Sequence, residues 1–406
     1  GLDDLHQTEA FVKLRNQEFP QHNSLDEAIS SESLATANTG RRDFLKFMGF
    51  SLAAATLAAC ETPVIKSIPY TNKPEDVTPG VANYYASTFY NGYDYCNVFV
   101  KTREGRPIFI NSNRKTGVGH ANARVNSSVL GLYDSARLTG PRLNGTETTW
   151  DELDRYVDSG LKGSGRKVLL TKTILSPSLQ RVIEGFCRTN DVEHLAVDAI
   201  SHGAVREAVR IHSGRDVFPS YEFKAATMVV SVGADFLGTW GDSSYYEDEW
   251  VQTRLPELEN MSRLRVFESV MSLTGTNSDY RTMVKPSEQG KVLVAMHELL
   301  SQGMQNQFAS GPIATGIENA VSDLKKAGSK ALVVSGVNDV HAQLLVADIN
   351  HLLGAEGSTV KYGGNRLFQG DDRAFNTLVK DMNEGVVGTL IMLDVNPAYN
   401  ALDKEA

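Results

Sequence analysis

The hydrophobic pattern of residues 149–406 alternates between two periods. Short uninterrupted apolar runs, typical of buried strands, alternate with longer segments in which apolar residues recur every three or four positions, as on one face of a helix. Uninterrupted apolar strands between helices are typical of parallel sheets that are covered on both faces. The pattern therefore predicts two Rossmann-like domains, a discontinuous first one over 149–198 and 325–406 and a second one over 199–324.

Individual elements of these two domains follow from the same pattern. Thr149 precedes a predicted helix over Trp150–Leu161 that carries acidic residues in its first turn, which is typical of a helix N-terminus. A further helix is predicted near Asp248–Leu258. The predicted strands are Lys167–Leu170, His194–Val197, Met228–Val232, Leu264–Phe267, Tyr280–Val284, Ala331–Ser335 and Thr389–Leu393.

A smaller β-rich domain is predicted over 84–148, ahead of the two α/β domains. Asn97–Lys101 and Arg106–Ile110 read as strands around a turn at Glu104 and Gly105, which predicts a hairpin. Residues 111–126 are rich in glycine and asparagine and form a long predicted loop, the kind of segment that is either functional or loose. The fold class is therefore α/β with a small β-rich N-terminal domain.

An export and lipidation signal is predicted over 39–60. Arg41 and Arg42 precede an uncharged apolar run that ends at Cys60, and this run is too short to cross a membrane as a helix. The alternative is a buried core helix that follows two arginines by chance. The signal predicts twin-arginine export and a lipid anchor on Cys60, so the chain after it is expected to be a folded periplasmic or cell-surface domain.

The segments on either side of this signal are predicted to be an amphipathic helix and a tether. In the N-terminal extension 1–38, apolar residues follow helical spacing as far as Pro20, so the segment is either a docking helix or a leader lost with the signal. The segment 61–83 is rich in proline and polar residues and would hold the body off a membrane. The last residues do not resemble a finished terminus, and we expect the chain to continue beyond Ala406.

Composition excludes several classes of function. With 406 residues and 41% hydrophobic content the chain can bury large cores, and a net charge of −9 without basic clusters argues against nucleic acid as a partner. Three cysteines, Cys60, Cys96 and Cys187, are too few for a disulfide framework. If Cys60 is acylated, Cys96 and Cys187 either pair or remain two buried thiols, and we expect the latter.

Candidate sites outside any family pattern are few. Gly233–Gly238 has the glycine spacing of a phosphate loop but lacks its lysine, and Gly117–Gly119 lacks the third glycine of a dinucleotide fingerprint. Ser201 and the histidine after it follow a strand end, where open parallel sheets bind ligands. His341 and His351 lie on one predicted helix as surface residues, and no grouping of His, Asp or Glu has metal-ligand spacing.

The chain after Cys60 resembles the molybdopterin oxidoreductases in the order and spacing of several motifs. The matching segments are 96–101, 104–107, 132–138, 149–153, 229–233, 285–288 and 394–399. In that family four cysteines, in a Cys-x-x-Cys-x-x-x-Cys run and a later position, hold a four-iron cluster. Here the corresponding positions are Phe89, Gly92, Cys96 and a residue near Asn122, and one thiolate cannot hold such a cluster.

The resemblance also departs from the family at the expected pterin site. Gly233–Phe236 replaces a Gly-x-Asn-Pro turn, and Glu268–Val270 replaces an Asp-Pro-Arg segment, so an arginine is lost and carboxylates stand where a pyrophosphate would lie. Ser201 lies near the family's metal-ligand position and is the candidate metal ligand of an active enzyme. The expectation is that no cofactor binds in this segment.

A degenerate molybdopterin scaffold behind a long extension, a twin-arginine segment and a lipobox resembles the B-subunit family of alternative complex III. That resemblance implies a cofactor-free half followed by a downstream half with four-iron (4Fe–4S) and three-iron (3Fe–4S) clusters. It further implies a quinol-oxidising complex, with a multi-haem cytochrome c subunit and integral membrane quinol-binding subunits as partners. The alternatives are an active periplasmic molybdopterin oxidoreductase with Ser201 as metal ligand and a periplasmic binding protein.

Overall fold

The computed structural model describes residues 77–259, 261–303, 308, 310–363 and 367–400. The predicted extension 1–38, the twin-arginine segment with Arg41, Arg42 and Cys60, and the tether as far as residue 76 lie outside the described residues. Among the helices that are described, none has both the length and the apolar character that a membrane crossing needs.

The β-rich part is an antiparallel sheet of β1 (Ala82–Tyr90), β2 (Tyr95–Arg103) and β3 (Arg106–Ser112), in that order. Glu104 and Gly105 form the β2–β3 turn with φ values of 52° and 77°, so the predicted hairpin is confirmed. The predicted loop that follows contains a short helix α1 (Ala123–Ser127), and a small ribbon of β4 (Arg142–Leu143) and β5 (Thr146–Glu147) comes after it. The buried core of this part is Cys96, Val98, Ile110, Val125 and Val129.

The first parallel sheet has the order β14-β6-β7. Its strands are β6 (Arg166–Thr171), β7 (Glu193–Ala196) and β14 (Val387–Leu393), and its helices are α2 (Trp150–Leu161), α3 (Pro177–Asn190) and α10 (Asp372–Asn383). Because successive residues of a strand face opposite sides, Val168 and Leu170 pack with Leu378 of α10, whereas Leu169 packs with Ile183 of α3. Apolar cores therefore lie on both faces of this sheet.

The second parallel sheet has four strands in the order β11-β10-β9-β12. The strands are β9 (Met228–Val232), β10 (Arg263–Glu268), β11 (Tyr280–Met283) and β12 (Ala331–Ser335). The helices of this part are α4 (Gly203–Ser213), α5 (Ser243–Gln252), α6 (Leu273–Thr276), α7 (Pro286–Ser301), α8 (Pro312–Ala327) and α9 (Val340–Leu352). A two-stranded ribbon of β8 (Ser220–Tyr221) and β13 (Val360–Lys361) and a last helix α11 (Pro397–Asn400) complete the elements.

The two faces of the second sheet have different cores. One face carries an aromatic cluster that includes Phe223, Phe236 and Tyr246, and the other carries aliphatic residues that pack against α7, α8 and α9. Val229 belongs to the first core and Val230 to the second, as strand alternation requires. The mixed α/β architecture with parallel sheets is confirmed.

Two details differ from the sequence-based assignment. Strand β14 pairs with β6, but β12 pairs with β9, so residues 325–406 contribute one strand to each parallel sheet rather than to the first alone. The predicted helix near Asp248–Leu258 is α5, and it begins earlier because Asp242 accepts a hydrogen bond from the backbone N–H of Tyr245.

Candidate functional site

A buried carboxylate, Asp94, stands at the centre of a polar cluster beside the β1–β2 turn. Its side chain is 0% exposed, and its two oxygens accept hydrogen bonds from Arg124 Nε at 2.8 Å and Nη2 at 2.7 Å. Asn122 donates a third hydrogen bond at 2.6 Å. A two-pronged guanidinium–carboxylate pair of this kind fixes geometry as well as charge, so Asp94 and Arg124 join the sheet to α1.

Local sequence places both partners. Asn91 accepts hydrogen bonds from the backbone N–H groups of Tyr93 and Asp94 at 2.9 and 2.8 Å, which closes an Asx turn before β2. Asn122 caps α1 by accepting from the N–H of Val125 at 3.1 Å, while its amide nitrogen donates to Asp94. One asparagine therefore positions the carboxylate and the other positions the helix that carries Arg124.

The start of helix α5 closes the cluster from the second-sheet side. The hydroxyl groups of Ser243 and Ser244 lie 3.5 and 3.2 Å from Asp94 Oδ1. Burial raises the pKa of Asp94, but the hydrogen bonds from Arg124 and Asn122 outweigh it and hold the pKa below its usual range. The cluster is therefore an ionised carboxylate with a matched set of donors.

The four positions that match the family's cluster ligands do not assemble a set of thiolates. Phe89 pairs with Cys96 across β1 and β2, Gly92 lies in the turn between these strands, and Asn122 contacts Asp94. Cys96 is 0% exposed, and burial, followed by Asp94 and Asp242, raises the pKa of its thiol to about 12. One protonated thiol beside a guanidinium–carboxylate pair does not fit an iron–sulfur cluster, which needs several thiolates.

A cavity of about 330 Å³ adjoins this cluster. Asp242 lines it, and burial raises the pKa of this carboxyl group from 3.8 to about 7. Four of the ten residues that line it are tyrosines: Tyr95, Tyr221, Tyr245 and Tyr246. Among the described residues that line the cavity, the ionisable carboxyl groups are Glu222 and Asp242, and none of the side chains is cationic.

The strand ends of the second sheet carry carboxylates that bond within the protein. Asp235, after β9, accepts from the N–H and hydroxyl groups of Thr274 at 2.9 and 2.8 Å. Glu268, at the end of β10, is 5% exposed and accepts from Arg281 at 2.5 Å and Ser272 at 2.6 Å. Both side chains are carboxylates already bonded within the protein and offer no cationic group to a pyrophosphate, so these residues do not fit the family's pterin group.

The glycine loop after β9 is also closed to phosphate. The backbone N–H groups of Gly238, Thr239 and Trp240 all donate to the carbonyl oxygen of Asp235, at 2.8–3.0 Å. A phosphate loop instead directs such N–H groups toward its ligand. The sequence, which lacks the phosphate-loop lysine, and the inward-directed N–H groups therefore both argue against a phosphate loop here.

The candidate metal ligand Ser201 lies in a hydrogen-bonded corner between α4 and α10. Its hydroxyl group donates to Asp372 Oδ2 at 2.5 Å and accepts a hydrogen bond from Asn338 Nδ2 at 3.2 Å. His202 is buried between the rings of Phe218 and Phe368, and burial lowers its pKa to about 4. The corner thus holds one carboxylate and a hydroxyl group already engaged with it.

Sequence spacing identifies neither Asp94 nor Arg124, since the two residues are 30 positions apart. The sequence signal that could have pointed to Asp94 is Asn91, three residues earlier. Asparagine at this spacing is typical of an Asx turn. The two histidines expected at the surface, His341 and His351, are both exposed, and His351 Nδ1 lies 3.1 Å from Glu356 Oε2.

Comparison with known proteins finds a distant similarity to a molybdopterin-containing subunit. No protein-family model matches it. It is 22% identical over 343 residues to the arsenate respiratory reductase molybdopterin-containing subunit ArrA of Shewanella sp. (strain ANA-3), over 78% of this chain and 38% of the relative. The chain therefore spans well under half the length of this curated relative.

Among solved structures, the chain resembles one from the formyltransferase/hydrolase complex (FhcABCD) of Methylorubrum extorquens in complex with methylofuran. The TM-score is 0.36 at 13% identity, over 62% of this chain and 59% of the other.

Proposed function

We propose that this chain is a non-catalytic scaffold portion of a respiratory quinol-oxidising membrane complex of the alternative complex III class. It would support electron transfer from quinol to cytochromes or a terminal oxidase without carrying a redox centre in residues 77–400. The distant similarity to a molybdopterin-containing subunit supports the redox context of this proposal.

The observation that carries the proposal is the chemistry at the family's two cofactor positions. At the position of the family's iron–sulfur cluster, the side chains present are the buried thiol of Cys96 and the Asp94–Arg124 ion pair. At the pterin position Asp235 and Glu268 present carboxylates that are already hydrogen-bonded within the protein. At both positions the carboxylates bond to other residues of this chain, which supports a structural role.

The remaining parts of the proposal concern location and partners. Arg41 and Arg42 would direct twin-arginine export, and a lipid on Cys60 would hold the protein on the periplasmic side of the inner membrane. The partners would be a multi-haem cytochrome c subunit and integral membrane quinol-binding subunits. The 4Fe–4S and 3Fe–4S clusters would lie in a downstream half of the full-length subunit.

A second candidate is an active periplasmic molybdopterin oxidoreductase with Ser201 as the metal ligand. The observation that favours it is the similarity to a relative described as molybdopterin-containing. In this case Ser201 would have to exchange its hydrogen bond to Asp372 for a bond to the metal.

Metal analysis of the protein purified from native membranes separates the two candidates. The scaffold predicts no molybdenum or tungsten, co-purification with a haem-staining subunit, and a diacylglycerol-sized mass increase on Cys60. Molybdenum near one atom per chain in the wild type, lost in Ser201→Ala, would overturn the scaffold in favour of the enzyme. Ser178→Ala, an exposed serine on α3, is the matched control.

A further inference from the structure

Three potential metal ligands from separate segments meet at the surface beside the second sheet. His212 lies at the end of α4, His351 at the end of α9, and Glu356 in the turn that follows α9. His212 Nε2 is 2.8 Å from Glu356 Oε1, and His351 Nδ1 is 3.1 Å from Glu356 Oε2. Since 144 positions separate His212 from Glu356, sequence spacing could not reveal the group.

The distances are close to those of a metal centre. The three ligand atoms all lie within 4.8 Å of one another. Ligand atoms around a tetrahedral zinc ion are separated by about 3.4 Å, given metal–ligand bonds of about 2.0–2.1 Å. A cation between the two imidazole nitrogens and the carboxylate would take the place of the hydrogen bonds to Glu356. The most distant ligand atoms would approach each other by at most about 1.4 Å.

The surroundings favour a cation at this point. Helices α4 and α9 pack against each other and both end here, so the partial negative charges of two helix C-termini converge on the group. The hydroxyl group of Tyr362 donates to Glu356 Oε1 at 3.3 Å and would orient the carboxylate from outside the metal shell.

The turn that carries Glu356 is held firmly. The N–H groups of Ser358, Thr359 and Val360 all donate to the carbonyl oxygen of Ala355, at 2.9–3.1 Å. Ala355 itself is fully buried. The carboxylate therefore sits on a preorganised segment, which lowers the entropic cost of binding an ion.

Access for an ion is also present. The side chain of His351 is 59% exposed, that of Glu356 is 31% exposed and that of His212 is 19% exposed. A site of two histidines and one carboxylate leaves a fourth tetrahedral position for water.

We propose that His212, His351 and Glu356 form a binding site for a divalent transition metal of the zinc class. The bound ion would tie the ends of α4 and α9 to the turn after α9. The site lies apart from the residues on which the scaffold proposal depends, so either proposal can fail alone.

Calorimetric titration of the metal-stripped full chain with Zn²⁺ tests the site, and Co²⁺ absorbance reports its geometry. The wild type should bind one equivalent that is weakened roughly tenfold or more in His351→Gln and in Glu356→Gln. His341→Gln is the matched control, because His341 is exposed on the same helix but outside the group.

Two results would overturn the proposal. One is the absence of Zn²⁺ binding by the wild type in the micromolar range. The other is equal binding by the wild type, His351→Gln and His341→Gln, which would indicate an adventitious ion only. A visible Co²⁺ band of tetrahedral type in the wild type and in His341→Gln, lost in His351→Gln, would support it.

Discussion

Removing the Arg124 guanidinium should destabilise the protein by leaving the Asp94 carboxylate buried without its cation. Breaking a buried ion pair in this way costs about 3–5 kcal/mol. Asp94 is 0% exposed but keeps Asn122 and Ser244 as donors after the change. We therefore expect the lower end of this range, about 3 kcal/mol, for Arg124→Met.

The complementary change, Asp94→Asn, should cost less, about 1–2 kcal/mol. It removes the buried charge, and Arg124 is 42% exposed, so water can solvate the guanidinium that remains. The control is Arg142→Met: the pair of Arg142 and Glu147 is 3.9 Å long and exposed, and such pairs contribute about 0–1 kcal/mol.

Urea unfolding of the full chain measures these three free energies. The pKa of Asp94 is below its unfolded value of 3.8, so the stabilisation is present above pH 4 and is lost as the pH falls through the lowered pKa. The difference in free energy of unfolding between the wild type and Arg124→Met should therefore decrease in acid. Equal losses in Arg124→Met and Arg142→Met, or a larger loss in Asp94→Asn, would refute the reasoning.

Two further predictions concern the same region. Burial raises the pKa of Asp242 to about 7, so the stability that its protonated form contributes is present in acid and is lost as the pH rises through 7. As the pH rises from 5 to 8, the urea midpoint of the wild type should decrease relative to that of Asp242→Asn, a variant that keeps the helix cap. Urea midpoints of the two proteins that change in parallel with pH would contradict this. Gly117 and Gly119 have φ values of 64° and 60°, but only at Gly119 would a Cβ atom meet a neighbour, Tyr95 O at 2.7 Å. Thermal unfolding should show about 1 kcal/mol lost in Gly117→Ala and about 2–4 in Gly119→Ala, and equal losses would exclude the close approach.

Local patterns predict much of the fold. The β2–β3 hairpin, the helix capped by Thr149 and the buried strands follow from short-range signals that tertiary packing does not override here. The helix start at Ser243 is less accessible from the sequence, because its buried residues include Ser243, Ser244 and Glu249. Polar residues that are buried to serve a hydrogen-bonded cluster disrupt the apolar periodicity on which helix prediction depends.

Long-range relations are the part that the pattern does not specify. An uninterrupted apolar strand such as β12 fits the interior of either parallel sheet, and its partner depends on packing between helices distant in the chain. The same holds for Arg124 with Asp94 and for His212 with Glu356, whose side chains meet only in the folded protein.

The pairing of β14 with β6 has a consequence for the order in which the chain can fold during synthesis. The four strands of the second sheet lie between Met228 and Ser335, within the interval that separates β6 from β14. At roughly 5–20 residues per second, a ribosome needs on the order of 10–40 s to reach β14 after completing β6. Until β14 has been made, β7 is the only described strand that can pair with β6, and the other edge of β6 remains unpaired. A chaperone that binds nascent apolar strands would therefore find an edge of β6 accessible at a time when all four strands of the second sheet have already been made.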